Sequence, residues 1–314
     1  MKSSAKVYFL PVLLAFLMMG GSTVAQQVDP LEGRWNLTIS KDGEELPSWL
    51  EINHSGNSTL VGRFTYAFGS ARPVAEIKKF DEVFYFAIPP QWEEGAAYME
   101  FQGKKVGEEL KGTMNYTDGT TAEWKAVKAP KLTYTANPKW RKTKKIFNGK
   151  NLDGWKADRE NQWQVVDGIL TSSKSGANLI TEEKFTDFKL HAEFRYPEDS
   201  NSGIYLRGRY EIQIADNIGL EPSSIYFGGI YGLLTPNENA AKKAGEWQTY
   251  DITLNGRRVT ITANGKTIIS EQNIPGMTGG ALDNDEAAPG PIMIQGDHGP
   301  VEFRVLEITP ISGK

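Results

Sequence analysis

The chain has 314 residues, 39% hydrophobic, 24% charged and 11% aromatic, a globular composition that excludes a disordered or fibrous protein. The length suggests two domains, and 32 Gly and 16 Pro with scarce helical periodicity lean to β structure. A net charge of −4 with no Lys/Arg-rich face argues against nucleic acid as a partner, and the absence of Cys excludes disulfides and thiolate metal sites.

In chain order, Lys2 and Lys6 precede an apolar run, Val7 to Met19, and Thr23-Val24-Ala25 fits a signal-peptidase site after Ala25. Residues 1–25 are expected to be a signal peptide and the protein periplasmic or secreted, with no membrane span, since no other stretch is apolar enough. Residues 29–129 carry short alternating or aromatic runs at 34–40, 49–53, 59–68, 83–88, 97–101 and 120–127. Turns such as Asp42-Gly43 and Asp118-Gly119 separate them, which predicts a small antiparallel β-barrel or sandwich. The opening Gly33-Arg34-Trp35 resembles the first strand of lipocalin-like barrels. Residues 130–145, with Asn137-Pro138 and five Lys and Arg from Lys139 to Lys145, read as a linker, so that 139–314 should fold alone. Residues 146–314 show a second all-β pattern, clearest at 163–166, 169–172, 188–196, 203–207, 210–215, 247–254, 258–263, 266–270, 291–295 and 301–309. So many strands exceed one flat sheet and predict a double-sheet jelly roll.

Several chemistries fail on the residues. There is no Gly-x-Ser-x-Gly elbow, and Asn264-Gly265-Lys266-Thr267 lacks the first Gly of a phosphate loop and lies between two strands. His54, His191 and His298 are the only histidines and none pair at metal-ligand spacing, so no metal site is expected.

The second domain carries a polar constellation. In Asn201-Ser202-Gly203-Ile204-Tyr205-Leu206-Arg207, alternation sends Ile204 and Leu206 to the core and Tyr205 and Arg207 to the opposite face. In Tyr210-Glu211-Ile212-Gln213-Ile214 it sends Glu211 and Gln213 outward, and Gly208 permits a tight turn that makes the two outward faces adjacent. Such a platform suits a polyol; a solvated face with an Arg–Glu pair is the plainer alternative. Asp216 joins this face only if the chain turns at Ala215; otherwise it caps a turn. After a buried-looking strand, Gln295-Gly296-Asp297-His298-Gly299 exposes a His either for proton transfer or for bonding its own turn.

Residues 146–311 resemble the 3-keto-disaccharide hydrolase family, a concanavalin A-like jelly roll. The resemblance is carried by Phe147-Asn148-Gly149-Lys150-Asn151-Leu152-Asp153-Gly154-Trp155, Trp163-Gln164-Val165-Val166-Asp167-Gly168 and Asn201-Ser202-Gly203-Ile204. It continues through Tyr210-Glu211-Ile212-Gln213-Ile214, Gly229-Ile230-Tyr231-Gly232, Gly245-Glu246-Trp247 and Gln295-Gly296-Asp297-His298-Gly299, in that order. It implies cleavage of glycosides oxidised at C3, by removal of the C2 proton, elimination at C1 and addition of water, with a carbohydrate as the partner. On that basis Glu211 and His298 are base and proton donor in either order, and Arg207 is the candidate partner of the enolate oxygen. Asn201, Gln213, Tyr231 and Gln295 would bind hydroxyls, Trp247 would stack on a ring, and Tyr205 and Asp216 complete the substrate-binding set. No cofactor is required by this scheme, and a divalent ion in place of Arg207 stays open. The competing reading is a lectin-like binding module, which needs no titrating pair.

Overall fold

A computed structural model describes residues 28–312, in which every regular element is a strand. The expected signal peptide, residues 1–25, lies outside the described residues. Eight strands pair antiparallel in chain order: β1 (Gly33–Lys41), β2 (Glu44–Ser55), β3 (Thr59–Thr65), β4 (Arg72–Phe80), β5 (Val83–Ile88), β6 (Met99–Val106), β7 (Glu109–Asn115) and β8 (Thr121–Lys128). β1 also pairs with β8, which closes the barrel. Inward side chains, among them Trp35, Phe64, Phe84, Phe101 and Trp124, make the barrel interior a packed core. Two of these strands lie outside the predicted runs. The β3–β4 register shifts near Gly62, so Val74 and Ile77, three apart, are both buried and the alternation breaks. In β7, Gly112 is a strand residue because a Cβ there would strike the Gln102 carbonyl oxygen.

The second half of the chain is a sandwich. Its strands are β9 (Lys144–Lys145), β10 (Trp155–Ala157), β11 (Gln164–Val166), β12 (Ile169–Ser172), β13 (Leu179–Phe185), β14 (Phe188–Arg195), β15 (Asn201–Leu206), β16 (Tyr210–Ala215), β17 (Gln248–Asn255), β18 (Arg258–Ala263), β19 (Lys266–Asn273), β20 (Gly290–Ile294) and β21 (Val301–Pro310). A five-stranded sheet runs β10-β13-β20-β15-β16, and an eight-stranded sheet runs β11-β12-β21-β14-β17-β18-β19 with β9 beside β21. Between them, Ile204, Leu206, Ile212, Ile214, Ile292 and Ile294 of the smaller sheet share a core with Leu190, Phe194, Tyr250, Phe303 and Leu306 of the larger. The fold is all-β, a closed barrel followed by a jelly roll, as the sequence predicts.

Barrel and sandwich form one compact unit from Leu31 onward. Trp49 of β2 is fully buried, but it belongs to the core of the sandwich, not to that of the barrel. Gly276 lies against its indole, where any Cβ would overlap the ring. The loop 274–289 is bonded to β1: Arg34 donates to the Pro275 carbonyl at 3.1 Å, Asn284 to that of Leu37 at 2.7 Å, and Asn36 to that of Asn284 at 2.8 Å. The expected linker runs pinned along the sandwich. Thr135 N–H donates to Asn255 Oδ1 and Asn255 Nδ2 returns a bond to the Thr135 carbonyl, each at 2.9 Å. A fragment cut at residue 139 would strip Trp49 from the sandwich core, which weighs against the expectation that 139–314 folds unaided.

Candidate functional site

The face of the five-stranded sheet opposite the isoleucine core forms the floor of a cleft of about 380 Å³, within the range of small-ligand sites. Alternation delivers Asn201, Gly203 and Tyr205 from β15 and Glu211 and Gln213 from β16 to this floor, with Tyr205 directly opposite Glu211 and Gly203 opposite Gln213. Gln295, just past β20, joins them, its N–H bonded to the Gly203 carbonyl at 2.9 Å. Tyr231 comes from a loop that pairs with the free edge of β16: its N–H donates to the Glu211 carbonyl at 3.1 Å. The turn after β20 supplies Asp297 and His298.

Glu211 is the centre of the floor and only 3% exposed. Its carboxyl lies over Gly203, where a Cβ would collide with Oε1, so glycine is the residue that leaves it room. Burial pushes the Glu211 carboxyl up to about 8, against the opposing effects of the Tyr205 hydrogen bond and the His298 charge. Hydrogen counting agrees. The Tyr205 hydroxyl has one hydrogen and two acceptors, Glu211 Oε2 at 2.8 Å and the Gly279 carbonyl at 3.0 Å. That hydrogen can go to either acceptor; a protonated Glu211 can donate to the phenol while the phenol donates to the carbonyl, which serves both.

His298 Nδ1 lies 2.6 Å from Asp297 Oδ1, and this bond, the largest influence, holds the imidazole above the usual histidine value. Asp297 is itself partly buried, which opposes its charge, but the His298 partnership outweighs this and keeps the carboxyl below the usual range. The amide oxygens of Gln213 and Gln295 are buried without a partner, while Gln213 Nε2 donates to Asn201 Oδ1 at 2.9 Å. Two orphaned acceptors on a cleft floor are suited to hydroxyl donors from a ligand.

Seven predicted residues thus meet in one cleft: Glu211, His298, Asn201, Tyr205, Gln213, Tyr231 and Gln295. Three do not. Arg207 falls past the end of β15 in a left-handed conformation (φ 54°), which breaks the alternation. Its buried guanidinium donates to the Gly256 carbonyl at 2.8 Å and lies over the Tyr210 ring. Trp247 lies against the Arg195 and Arg304 guanidinium groups, 4.8 and 4.3 Å from its ring centroid, and does not line the cleft. Asp216 accepts from the Asp199 N–H at 3.1 Å, so it ties down the turn at 197–200 rather than capping its own turn or joining the cleft. Sequence reasoning missed Gly279 and Gly280, which approach the Tyr205 hydroxyl, and Phe68, Gly69 and Trp92 of the barrel. It also left Asp297 without a role, although an Asp beside a His was a readable signal. Among the described residues, no group of three or more His, Asp or Glu could hold a metal ion.

Fold and site define a jelly-roll protein whose polar cleft holds a paired acid and imidazole. The family model of the 3-keto-alpha-glucoside-1,2-lyase-like domain matches residues 142–309, over half of the chain, and the chain belongs to that family of carbohydrate-active proteins. Two solved structures from Parabacteroides distasonis, both described as candidate glycosyl hydrolases, are similar. One is 30% identical, with 53% of this chain and 82% of that chain covered and a TM-score of 0.47. The other is 25% identical, with 54% and 98% covered and a TM-score of 0.44. No curated protein matches the chain.

Proposed function

We propose that this protein is an exported enzyme that cleaves 3-keto-glycosides, with His298 as the base and Glu211 as the proton donor. The observation that carries the reading is the presence, in one cleft, of a carboxyl raised by burial and an imidazole held by Asp297. With Nδ1–H directed to Asp297, the other ring nitrogen is left to take a proton. A C3 ketone acidifies C2–H. His298 removes that proton, and the electrons form an enolate whose oxygen needs donors. Tyr231 is assigned this role in place of Arg207, because it lines the cleft beside Glu211 and carries a hydroxyl that can donate. The enolate collapses, C1=C2 forms, the C1–O bond breaks, and Glu211 protonates the departing oxygen. As water adds at C1 it gives a proton back to Glu211, and His298 returns its proton to C2, so the net change is hydrolysis and both residues are restored. The orphaned oxygens of Gln213 and Gln295 would accept ring hydroxyls. A lectin would need such hydrogen bonders but no proton pair, which favours the enzyme. The leader-like segment up to Ala25 supports export.

The test offers matched 3-keto- and ordinary glucosides, with and without chelator. Only the keto substrates should be cleaved, and deuterium at C2 should slow the reaction if proton transfer limits it. Equal turnover of ordinary glucosides, or sugar binding with no turnover of any keto-glycoside, would overturn the proposal. Loss of activity with chelator would bring in a divalent ion. Exported protein should begin at Gln26.

A further inference from the structure

The barrel lies outside the residues matched by the family, yet two of its loops wall the cleft. Residues 66–71, between β3 and β4, bring Phe68, and residues 89–98, between β5 and β6, bring Trp92. Trp92 is 69% exposed and Phe68 40%. A large exposed ring on a loose loop would mean little, but this loop is tied down. Buried Glu93 accepts from both terminal nitrogens of Arg72, at 3.1 and 2.8 Å, and from the backbone N–H of Gln91 at 2.7 Å and of Trp92 at 3.2 Å. Gln91 and Ser70 exchange hydrogen bonds of 2.9 and 2.7 Å, which knit the two loops together. Trp92 lines the cleft together with Tyr231, whose N–H is bonded to the Glu211 carbonyl. A bidentate ion pair therefore holds the backbone that carries Trp92 while leaving the indole surface to solvent.

We infer that Trp92, with Phe68 beside it, is a stacking platform for the ring joined through the scissile bond: the second sugar of a disaccharide. The inference rests on the reading of the cleft as a glycoside site. The buried floor around Glu211 accommodates one polar ring, and whatever C1 carries must leave through the mouth, where the barrel loops stand. Pyranose rings present apolar C–H faces, and a preorganised aromatic surface binds them without first ordering a loop.

The experiment compares wild type, Trp92→Ala and Trp92→Phe on a methyl 3-keto-glucoside and a 3-keto-disaccharide. In parallel it titrates the non-oxidised disaccharide and methyl glucoside by calorimetry. Trp92→Ala should lower kcat/KM for the keto-disaccharide about tenfold and leave the methyl substrate within about threefold. Trp92→Phe should restore most of the loss, because it keeps an aromatic ring at the same position. Disaccharide affinity should follow the same order. Equal losses on both substrates, or failure of Phe to restore, would overturn the platform. If wild type turns over no keto-glycoside, the functional reading fails, yet the calorimetric arm still decides the platform: unchanged disaccharide affinity in Trp92→Ala rejects it.

Discussion

The molecule holds two histidine–aspartate pairs of nearly equal length, and they differ in what surrounds them. On β14, His191 Nδ1 lies 2.7 Å from Asp251 Oδ1, its direct cross-strand partner on β17, and Nε2 faces Glu193 at 3.4 Å. Both ring nitrogens are occupied by carboxylates on the outer face of a sheet, which makes a surface ion cluster. His298 has the same bond to Asp297, at 2.6 Å, and its ring is half exposed, but it lines the cleft that also holds Glu211, whose carboxyl burial pushes up to about 8. A His–Asp bond is therefore not a site. A second nitrogen open to a cavity and a buried acid across from it make one.

Removing the base or the acid should produce the largest effects. His298→Ala and Glu211→Gln should each lower kcat on a 3-keto-glycoside by roughly 10²–10⁴ with little change in KM, whereas His191→Ala should stay within about twofold. The pH profile separates the roles. Activity should rise as His298 loses its proton, above the ordinary histidine value, and fall as Glu211 loses its own around pH 8. Residual activity in Glu211→Gln should lack the alkaline fall, and in His298→Ala the acid rise. A reversed assignment of the limbs would make Glu211 the base; full activity in both variants would remove the pair from the mechanism.

The sequence made this contrast half visible. Alternation over 201–206 and 210–215 is regular, so the faces of Tyr205, Glu211 and Gln213 were legible from period alone. The same rule failed at Arg207 because the strand stops at Leu206 and a left-handed residue redirects the chain, a feature that only glycine or asparagine would have advertised. Trp247 illustrates another limit: an aromatic beside a family motif looks like a sugar platform until two arginines from other strands pack on its ring. The barrel's contribution was not readable at all. Trp49 reaches the sandwich core and Trp92 reaches the cleft through contacts that no local pattern encodes. Missing β4 and β7 has a local cause, a register shift and an in-strand glycine that interrupt the period.

The next effect is on stability, and it isolates the burial of Glu211. Between about pH 4.5, where the unfolded carboxyl ionises, and about pH 8, the folded state binds one more proton than the unfolded state. Stability must then fall as pH rises through that window. Glu211→Gln removes the titration while keeping the shape, so it should be more stable than wild type by a few kcal/mol, on the order of magnitude only, at pH 8, and no more stable below pH 4. Denaturant midpoints at the two pH values measure it. A variant less stable than wild type at pH 8 would mean that the carboxyl is not held protonated.

The smallest effect belongs to His191 and has the opposite sign. Partial burial lowers its affinity for a proton, but the bonds and charges of Asp251 and Glu193 outweigh this, so the folded value is raised. A raised histidine adds stability that is fully present below the unfolded value near 6.5 and is lost as pH rises through the folded value. The pair is part exposed on a sheet face, so solvent screens it and the contribution should stay under about 1 kcal/mol. His191→Asn should therefore be slightly less stable than wild type at pH 5.5 and equal to it at pH 9, with the difference shrinking in high salt. Glu211→Gln should show its gain at the alkaline end instead. A His191→Asn variant that lost turnover at any pH, or more stability at pH 9 than at pH 5.5, would mean that the outer-face pair does more than hold a surface charge.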